Sequence, residues 1–481
     1  MENLNTFTAS NELSKADLGD ERLNHRLVKL AESISRRPRE SFPDIANSTS
    51  ELEATYRFFS NSRVTPENIL APHIEATVSR ACCGERIVVA HDTTEFLFGG
   101  KSRKEELGWT IKHNQGFFGH FSLALSRTDF VRPLGVLGID TIFRPGEPRS
   151  RKRTTYEIKR DPKRESQRWW NSVHRVENLF PLDIKPIHVM DREADDFELF
   201  SDLCAQQIRF VIRVRHDRKN CQIPGEASKA KLSELLQEKE IVCEREVSLG
   251  NREQGPTPQR YKPRSPRIAK LHVKALTFEM PKTASCLSTT KTLILNCVHV
   301  YEVDAPQDAE PIDWKLITLE PITSAEQVLN IIDDYRARWT IEEYFKALKT
   351  GCSYEKRQLE SRESLLNALA VFAPIAWQLL LLRTLNRHKP DAPAEQALRK
   401  IQIEVLRAVS KKKPLPQHPT IQEALLAIAA LGGHIPNNGE PGWQILSRGM
   451  EKLLTMEIAW IAAKECFLED RAAFGEERPS N

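Results

Sequence analysis

"PIHVMDREADDFELF", residues 186–200, changes character at a single point. Ile187 to Met190 form a short apolar run with the bulk of a strand. The run stops at Asp191, and the acidic residues that follow suit the first turn of a helix. A strand that hands directly to a helix is the building unit of an α/β fold. Neighbouring stretches agree with it. "RIVVAHDTTEF" (86–96) is a β-branched run ending in a carboxylate at Asp92, and "GHFSLALSRTDFVRPLGVLGIDTIFRP" (119–145) reads as two strands about a turn. "IRFVIRVRHDR" (208–218) alternates apolar residues with Arg209, Arg213 and Arg215.

On the N-terminal side, residues 14–80 read as short helices. "STSELEATYRFF" opens with good N-cap residues, and Pro66 takes the first helical position after Thr65. From about 216 to 319 helical periodicity fades into prolines, basic residues and short strands. There Lys270, His272 and Lys274 share one strand face, which suits either solvent or phosphate contact. A helix follows, announced by the capping-box pattern Thr323-Ser324-Ala325-Glu326 and closed by Gly351. The remainder is helical. "LLNALAVFAPIAWQLLLL" (365–382) is long enough for a marginal membrane span, but Asn367, Pro374 and Gln378 mark it as a buried helix. Leu446, Gly449, Leu453, Met456 and Trp460 recur at heptad-like spacing, suited to packing or dimerisation.

The chain has 481 residues, 40% hydrophobic and 28% charged, a globular mixture long enough for several domains. A formal net charge of +4 is too small to identify a nucleic-acid partner, so that inference must rest on local clusters. Nine cysteines without a CxxC pair point to reduced thiols rather than a zinc site. The N-terminal stretch has no apolar signal-peptide core, so a cytoplasmic location and no membrane partner are expected.

"YRARWTIEEYFKALK" (335–349) carries ionisable groups where a core-facing stripe would be apolar. At roughly 100° per residue, Tyr335, Arg338, Glu342, Lys346 and Lys349 fall within an arc of about 80°. A solvated face, with Glu342 and Lys346 paired at i,i+4, is one reading. The other joins Glu342 to Asp92 and Asp191, aspartates at strand positions where a lone charge needs water, a cation or a partner. Three converging carboxylates repel, and a pair of divalent ions removes that problem. Oxygen ligands suit Mg²⁺ or Mn²⁺, and two such ions can serve phosphoryl transfer. Pattern alone leaves Asp195, Asp196, Asp334 and Glu343 as rivals.

"VVAHDTTEF", "VMDREAD" and "YRARWTIEEYFKALKTG", in that order, resemble the three signature blocks of bacterial cut-and-paste DDE transposases, in particular the insertion-sequence-four group and its transposon-five branch. "LGDERLNHRL", "ATYRFFSN", "PIDWKLITLEPI" and "LAIAALGG" extend the resemblance over most of the chain. The stretch "RPGEPRSRKRTTYEIKRDPKRESQRWW" (144–170) departs from that branch by its basic character.

The resemblance implies an α/β fold. A ribonuclease-H-like core (71–215 and 320–360) is interrupted by a β-rich insertion (216–319). It is flanked by an N-terminal helical DNA-binding domain (1–70) and a C-terminal helical dimerisation domain (361–481). It also implies that Asp92, Asp191 and Glu342 bind two Mg²⁺ ions, with Mn²⁺ able to substitute. Tyr335, Arg338, Lys346, Lys349, Arg213 and Arg26 would contact DNA, and Trp314 would stack on a flipped base. The implied activity is nicking of inverted-repeat ends, hairpin formation and resolution, and strand transfer into target DNA by a paired homodimer. A silent DNA-binding relic or inhibitor, or a nuclease of the same fold without end specificity, are the competing functions.

Overall fold

The computed structural model describes residues 9–84, 86–99, 106–110, 114–144, 157, 161, 164–250, 265–283, 286–307, 309–410, 414–435 and 439–473. Much of the basic stretch 144–170, and of the proline-rich basic segment in the insertion, lies outside them.

Five helices open the chain: α1 (Ala9–Leu13), α2 (Glu21–Arg36), α3 (Phe42–Ile45), α4 (Thr49–Phe59) and α5 (Pro66–Cys82). Polar caps set their starts, since the side chains of Asp20, Ser48 and Thr65 accept main-chain N–H bonds from Arg22, Glu51 and Asn68. Helix α5 runs unbroken across residue 70. Glu12 on α1 binds both His73 and Arg80 of α5, so the first helix is pinned to the core by buried polar contacts.

Next come β1 (Ile87–Leu97), β2 (Gly108–Trp109), β3 (Gln115–Arg127), β4 (Val131–Ile142), α6 (Gln167–Glu177), β5 (Ile187–Met190), α7 (Phe197–Ala205) and β6 (Phe210–Arg213). β1, β3 and β4 form an antiparallel meander, and β5 and β6 add parallel to β1 on its other side. The resulting order β4-β3-β1-β5-β6 is that of a ribonuclease-H-like sheet.

The insertion supplies α8 (Leu232–Gln237), β7 (Cys243–Leu249), β8 (Arg267–Pro281), β9 (Thr292–Val303) and β10 (Asp313–Thr318). These strands continue the core sheet rather than forming a separate one. β10 pairs antiparallel with β6, and β9, β8 and β7 follow outward. The basic face of β8 is consumed locally. Lys270 and His272 stand opposite Glu246 and Glu244 of β7, His272 lies 3.3 Å from Glu244, and Lys274 donates to the Gln237 carbonyl.

The expected continuous helix over 324–351 is instead α9 (Ala325–Ala337) and α10 (Thr340–Lys346), stepped at Arg338–Trp339 and followed by a π turn over Ala347–Gly351. Ser324 is the N-cap and accepts from the Gln327 N–H, while the Gln327 side chain accepts from the Thr323 N–H at 2.9 Å, one residue before the cap, so the expected box through Glu326 does not form.

α11 (Arg362–His388) contains the long apolar run. It is long and apolar enough to cross a membrane, yet 89% of its most apolar window is buried inside the fold. Its polar residue Asn367 donates to the carbonyls of Phe59 and Val64, fastening the N-terminal helices to the core.

α12 (Lys400–Val409), α13 (Ile421–Leu431) and α14 (Trp443–Ala473) complete the chain. Leu446 and Leu453 of the heptad-like stripe are buried with Leu425 and Ile428, so that stripe packs within the chain. A Cβ at Gly449 would meet the Ile428 carbonyl oxygen at 1.8 Å, and one at Gly432 the Ile445 oxygen at 2.0 Å. The α13–α14 crossing therefore requires both glycines. One core joins the sheet to the N-terminal helices, α9, α10 and α11; a second, on the other side, joins α6 and α7 to β5, β6, β8 and β9.

Candidate active site

Sheet register explains why two aspartates distant in sequence become neighbours. Ala90 of β1 pairs with Val189 of β5 in parallel, which brings Asp92 and Asp191, each two residues further on, to the same end of the two strands, near enough for the charge of Asp191 to act on Asp92. Neighbouring strands lie about 4.8 Å apart. Asp92 does not end its strand as the sequence suggested; β1 continues to Leu97. Asp191 stands immediately after β5 and caps the short 3-10 turn Arg192–Ala194.

Glu342, on α10, is drawn to this pair by Arg338. The Arg338 guanidinium donates to Asp92 Oδ2 at 2.7 Å and to Glu342 Oε1 at 3.3 Å. Main-chain N–H groups hold the aspartates from behind: Thr93 N donates to Asp92 Oδ1 at 2.8 Å, and Glu193 N to Asp191 Oδ1 at 2.9 Å. The result is two carboxylates paired with one cation, with the charge of Asp191 acting on both Asp92 and Arg338. Burial pushes the Asp92 carboxyl up to about 7, and the charges of Asp191 and Glu342 add to this while Arg338 opposes it. Burial likewise raises Glu342, again against the pull of Arg338. Arg338, beside Asp92, Tyr335, Glu342 and Asp191, holds its proton more tightly than a free arginine.

The rival acids have other work. Asp334 is fully buried between Arg86 and Arg127. Asp195 accepts from Arg218 and from the main-chain N–H groups of Arg215 and His216. Asp196 caps α7. Glu343 lies 2.7 Å from Lys346, which takes the place of the expected Glu342–Lys346 pair.

A groove of about 1090 Å³ passes over this centre, lined among others by Arg213, Trp314, Tyr335, Arg338 and Glu342. Four of the expected DNA contacts form one connected group there. Arg213 lies over the Trp314 ring at 5.9 Å, the Trp314 and Tyr335 rings meet edge to face at 5.4 Å, and Arg338 lies 5.8 Å from the Tyr335 ring. Arg213 also donates to the Asp313 carbonyl. Tyr335 is nearly buried, which raises its phenol above the usual range. β10 places Trp314 and β6 places Arg213, so the strand pairing between insertion and core assembles this wall.

The remaining three residues are not gathered with them. Lys346 is exposed and paired with Glu343. Lys349 turns inward, where it donates to the Glu95 carbonyl beside the Phe96 ring and burial lowers its pKa. Arg26 is half-buried on α2 and is not among the groove-lining residues. The groove also brings in Arg192, Arg245, Arg336, Arg383 and Arg387, which the sequence reading did not single out. Apart from Arg383 and Arg387, four residues apart on α11, they come from separate elements, so no single spacing rule joins the set.

Oxygen donors from Asp92, Asp191 and Glu342 suit a hard divalent ion in kind. The raised Asp92 marks a surplus of negative charge that such an ion would relieve. Among the described residues no three His, Cys, Asp or Glu side chains form a metal-holding group, and the Arg338 guanidinium supplies positive charge between Asp92 and Glu342.

Two family models match this chain: transposase DNA-binding over residues 7–64, and transposase DDE domain over residues 165–373. The second match spans Asp191 and Glu342, while Asp92 precedes it. Among solved structures, the chain is similar to a piggyBac transposase described as a synaptic complex with hairpin DNA. The TM-score is 0.34 and the identity 9%, over 96% of this chain and 78% of that one.

Proposed function

We propose that this chain, with its matches to a transposase DNA-binding domain and a transposase DDE domain, is a DNA transposase whose chemical centre is Asp92, Asp191 and Glu342. The observation that carries this reading is the pairing of Arg338 with both Asp92 and Glu342, close enough to Asp191 to feel its charge, where Arg338 and Glu342 line an arginine-rich groove. The cofactor is Mg²⁺, two ions by the two-metal logic, with Mn²⁺ able to substitute. When bound it supplies the Lewis acidity and nucleophile activation of phosphoryl transfer.

The chain's own groups supply the rest. Asp92, Asp191 and Glu342 would be the metal's oxygen ligands. Arg338, tied to two of them, presents its cation where a scissile phosphate would lie, and Arg213 and Tyr335 position the strand beside it. Trp314, held between Arg213 and Tyr335, offers a ring for an unstacked base. Glu342 and Arg338 sit one turn apart, so a single guanidinium can orient both a ligand carboxylate and a phosphate, as in-line attack demands.

The N-terminal helices, with Arg26 on α2, recognise inverted-repeat ends, and groove arginines bind backbone phosphates. Hairpin formation and resolution, strand transfer by a cut-and-paste route, and membership of the insertion-sequence-four group and its transposon-five branch belong to this proposal. So does assembly as a homodimer in the bacterial cytoplasm. Support for the pairing surface comes from α14, which leaves Ile458, Ile461 and Phe467 exposed.

The decisive test is nicking of DNA carrying the flanking inverted repeats, in Mg²⁺, by wild type and Asp191→Ala. Wild-type cleavage that the variant loses is the expected result. Equal cleavage by both refutes the assignment, end binding without any cleavage identifies a silent binding protein, and cleavage without end preference identifies a general nuclease.

A further inference from the structure

We propose that Arg168 is a positioning residue that sets Asp92 and Asp191 against each other for divalent-ion binding. This rests on the assignment of those aspartates under Proposed function. Arg168 lies in the first turn of α6, away from the three signature blocks, and its side chain is only 12% exposed. Every nitrogen of its guanidinium is engaged. Nε donates to Thr93 Oγ1 at 3.0 Å, Nη2 to Glu193 Oε2 at 2.5 Å, and Nη1 to the Glu165 carbonyl at 2.9 Å.

The two side chains it grips belong to the two residues whose main-chain N–H groups hold the aspartates. Thr93 donates to Asp92 and Glu193 to Asp191. Arg168 thus closes a loop from Asp92 through Thr93, its own guanidinium and Glu193 to Asp191. β1 and β5 are paired only up to Ala90 and Val189. Past those positions the ladder no longer sets the spacing between the chains, and the Arg168 bridge does.

The Thr93 end of the bridge is rigid because its proton has one place to go. Ser172 Oγ donates to the Trp169 carbonyl at 3.0 Å, so toward His120 Nε2, 3.1 Å away, it acts as acceptor. His120 is fully buried, and burial together with nearby Arg168 and Arg175 keeps it neutral. With its proton on Nε2, its Nδ1 accepts from the Thr93 hydroxyl at 2.9 Å. The Thr93 oxygen then has lone pairs left for Arg168, and the chain Arg168–Thr93–His120–Ser172 runs in one direction with each proton used once. Such outer partners orient ligand carboxylates, and their loss commonly weakens metal binding about ten- to a hundredfold.

The test measures Mn²⁺ binding to the full, DNA-free chain by electron paramagnetic resonance, beside thermal unfolding. Arg168→Ala is expected to raise the half-saturating Mn²⁺ concentration about ten- to a hundredfold. Arg168→Lys, which can reach one partner but not fork to both, should restore only part of it. Glu193→Ala alters a side chain that is 57% exposed, so the fold tolerates it, and it should still shift binding in the same direction. Unchanged Mn²⁺ binding in Glu193→Ala and Arg168→Ala, or in Glu193→Ala alone should Arg168→Ala not fold, overturns the proposal and leaves Arg168 a structural residue. Asp191→Ala separates the two readings. Loss of Mn²⁺ binding there but not in the Arg168 variants sinks the bridge alone, whereas wild-type binding in Asp191→Ala sinks the metal site itself.

Discussion

Asp334 and Asp92 are both enclosed carboxylates met by arginines, and they differ in how many cations each has. Asp334 receives Arg86 at 2.5 Å and Arg127 at 2.8 Å, with Asn330 completing the Arg127 fork. Among the described residues Asp92 is paired with Arg338 alone, shares it with Glu342, and feels Asp191 as well. Asp334 itself is fully buried and has two cations to itself apart from Glu320 at 3.6 Å from Arg86, which suits a joint between α9 and the sheet. The second cluster is short of positive charge, and its Arg338 and Glu342 line the groove. A deficit of this kind is what an incoming cation can relieve, so charge balance separates a structural carboxylate from a candidate ligand where burial does not.

Four experiments would break or sharpen that contrast. Asp92→Asn should reduce cleavage of end DNA at least about a thousandfold while the protein remains folded, as measured by single-turnover nicking and circular dichroism. Asp334→Ala should act the other way, costing about 3–5 kcal/mol of stability because it strands two enclosed guanidinium groups, as read from denaturant midpoints. If Asp334→Ala unfolds no more easily than wild type, the two clusters are not different in kind. Trp314→Ala should weaken binding of unstacked DNA by about 1–3 kcal/mol without shifting the thermal midpoint, measured by fluorescence anisotropy.

The smallest effect is a pH dependence. Asp92 has a folded pKa of about 7 against an ordinary value of 3.8, so the folded state binds more protons between these values. Its contribution therefore favours folding at low pH and is lost as pH rises through 7. Without DNA or divalent ion, Asp92→Asn should unfold at a higher temperature than wild type at pH 8, and that advantage should shrink toward pH 4. An advantage that grows on acidification would contradict the charge deficit.

Much of the architecture is legible along the chain because it depends on local pattern. The end of the strand before Asp191, the caps at Ser48 and Thr65, and the buried character of 365–382 all follow from neighbours in sequence, although a 3-10 turn delays the helix expected after Asp191 to Phe197. Errors arise where a neighbour three or four residues away competes with one brought in by folding. Lys346 chose Glu343 over Glu342 once Arg338 had taken Glu342. Lys349 left its expected stripe for the Glu95 carbonyl because the π turn after α10 alters the helical phase. The Lys270–His272–Lys274 face, open in the sequence to either solvent or phosphate, instead faces Glu244 and Glu246 of β7.

Within the candidate site, residue pattern alone left Asp195, Asp196, Asp334 and Glu343 as rivals and the choice of Asp92, Asp191 and Glu342 came from the resemblance, whereas the partners that occupy the rivals are visible only in the fold. Arg168 gave no signal at all. It sits in a basic stretch, and its two partners are 75 and 25 residues away.

Sequence alone determined which segments become strands and helices and which chemical groups are available, because backbone preference and side-chain type act over a few residues. Tertiary structure alone decided which groups meet: the parallel β1–β5 pairing brought Asp92 toward Asp191, and the β6–β10 pairing set Trp314 beside Arg213. The physical reason is range. Coulomb and hydrogen-bond energies depend on distance through space, and chain separation carries no information about that distance until the sheet is formed.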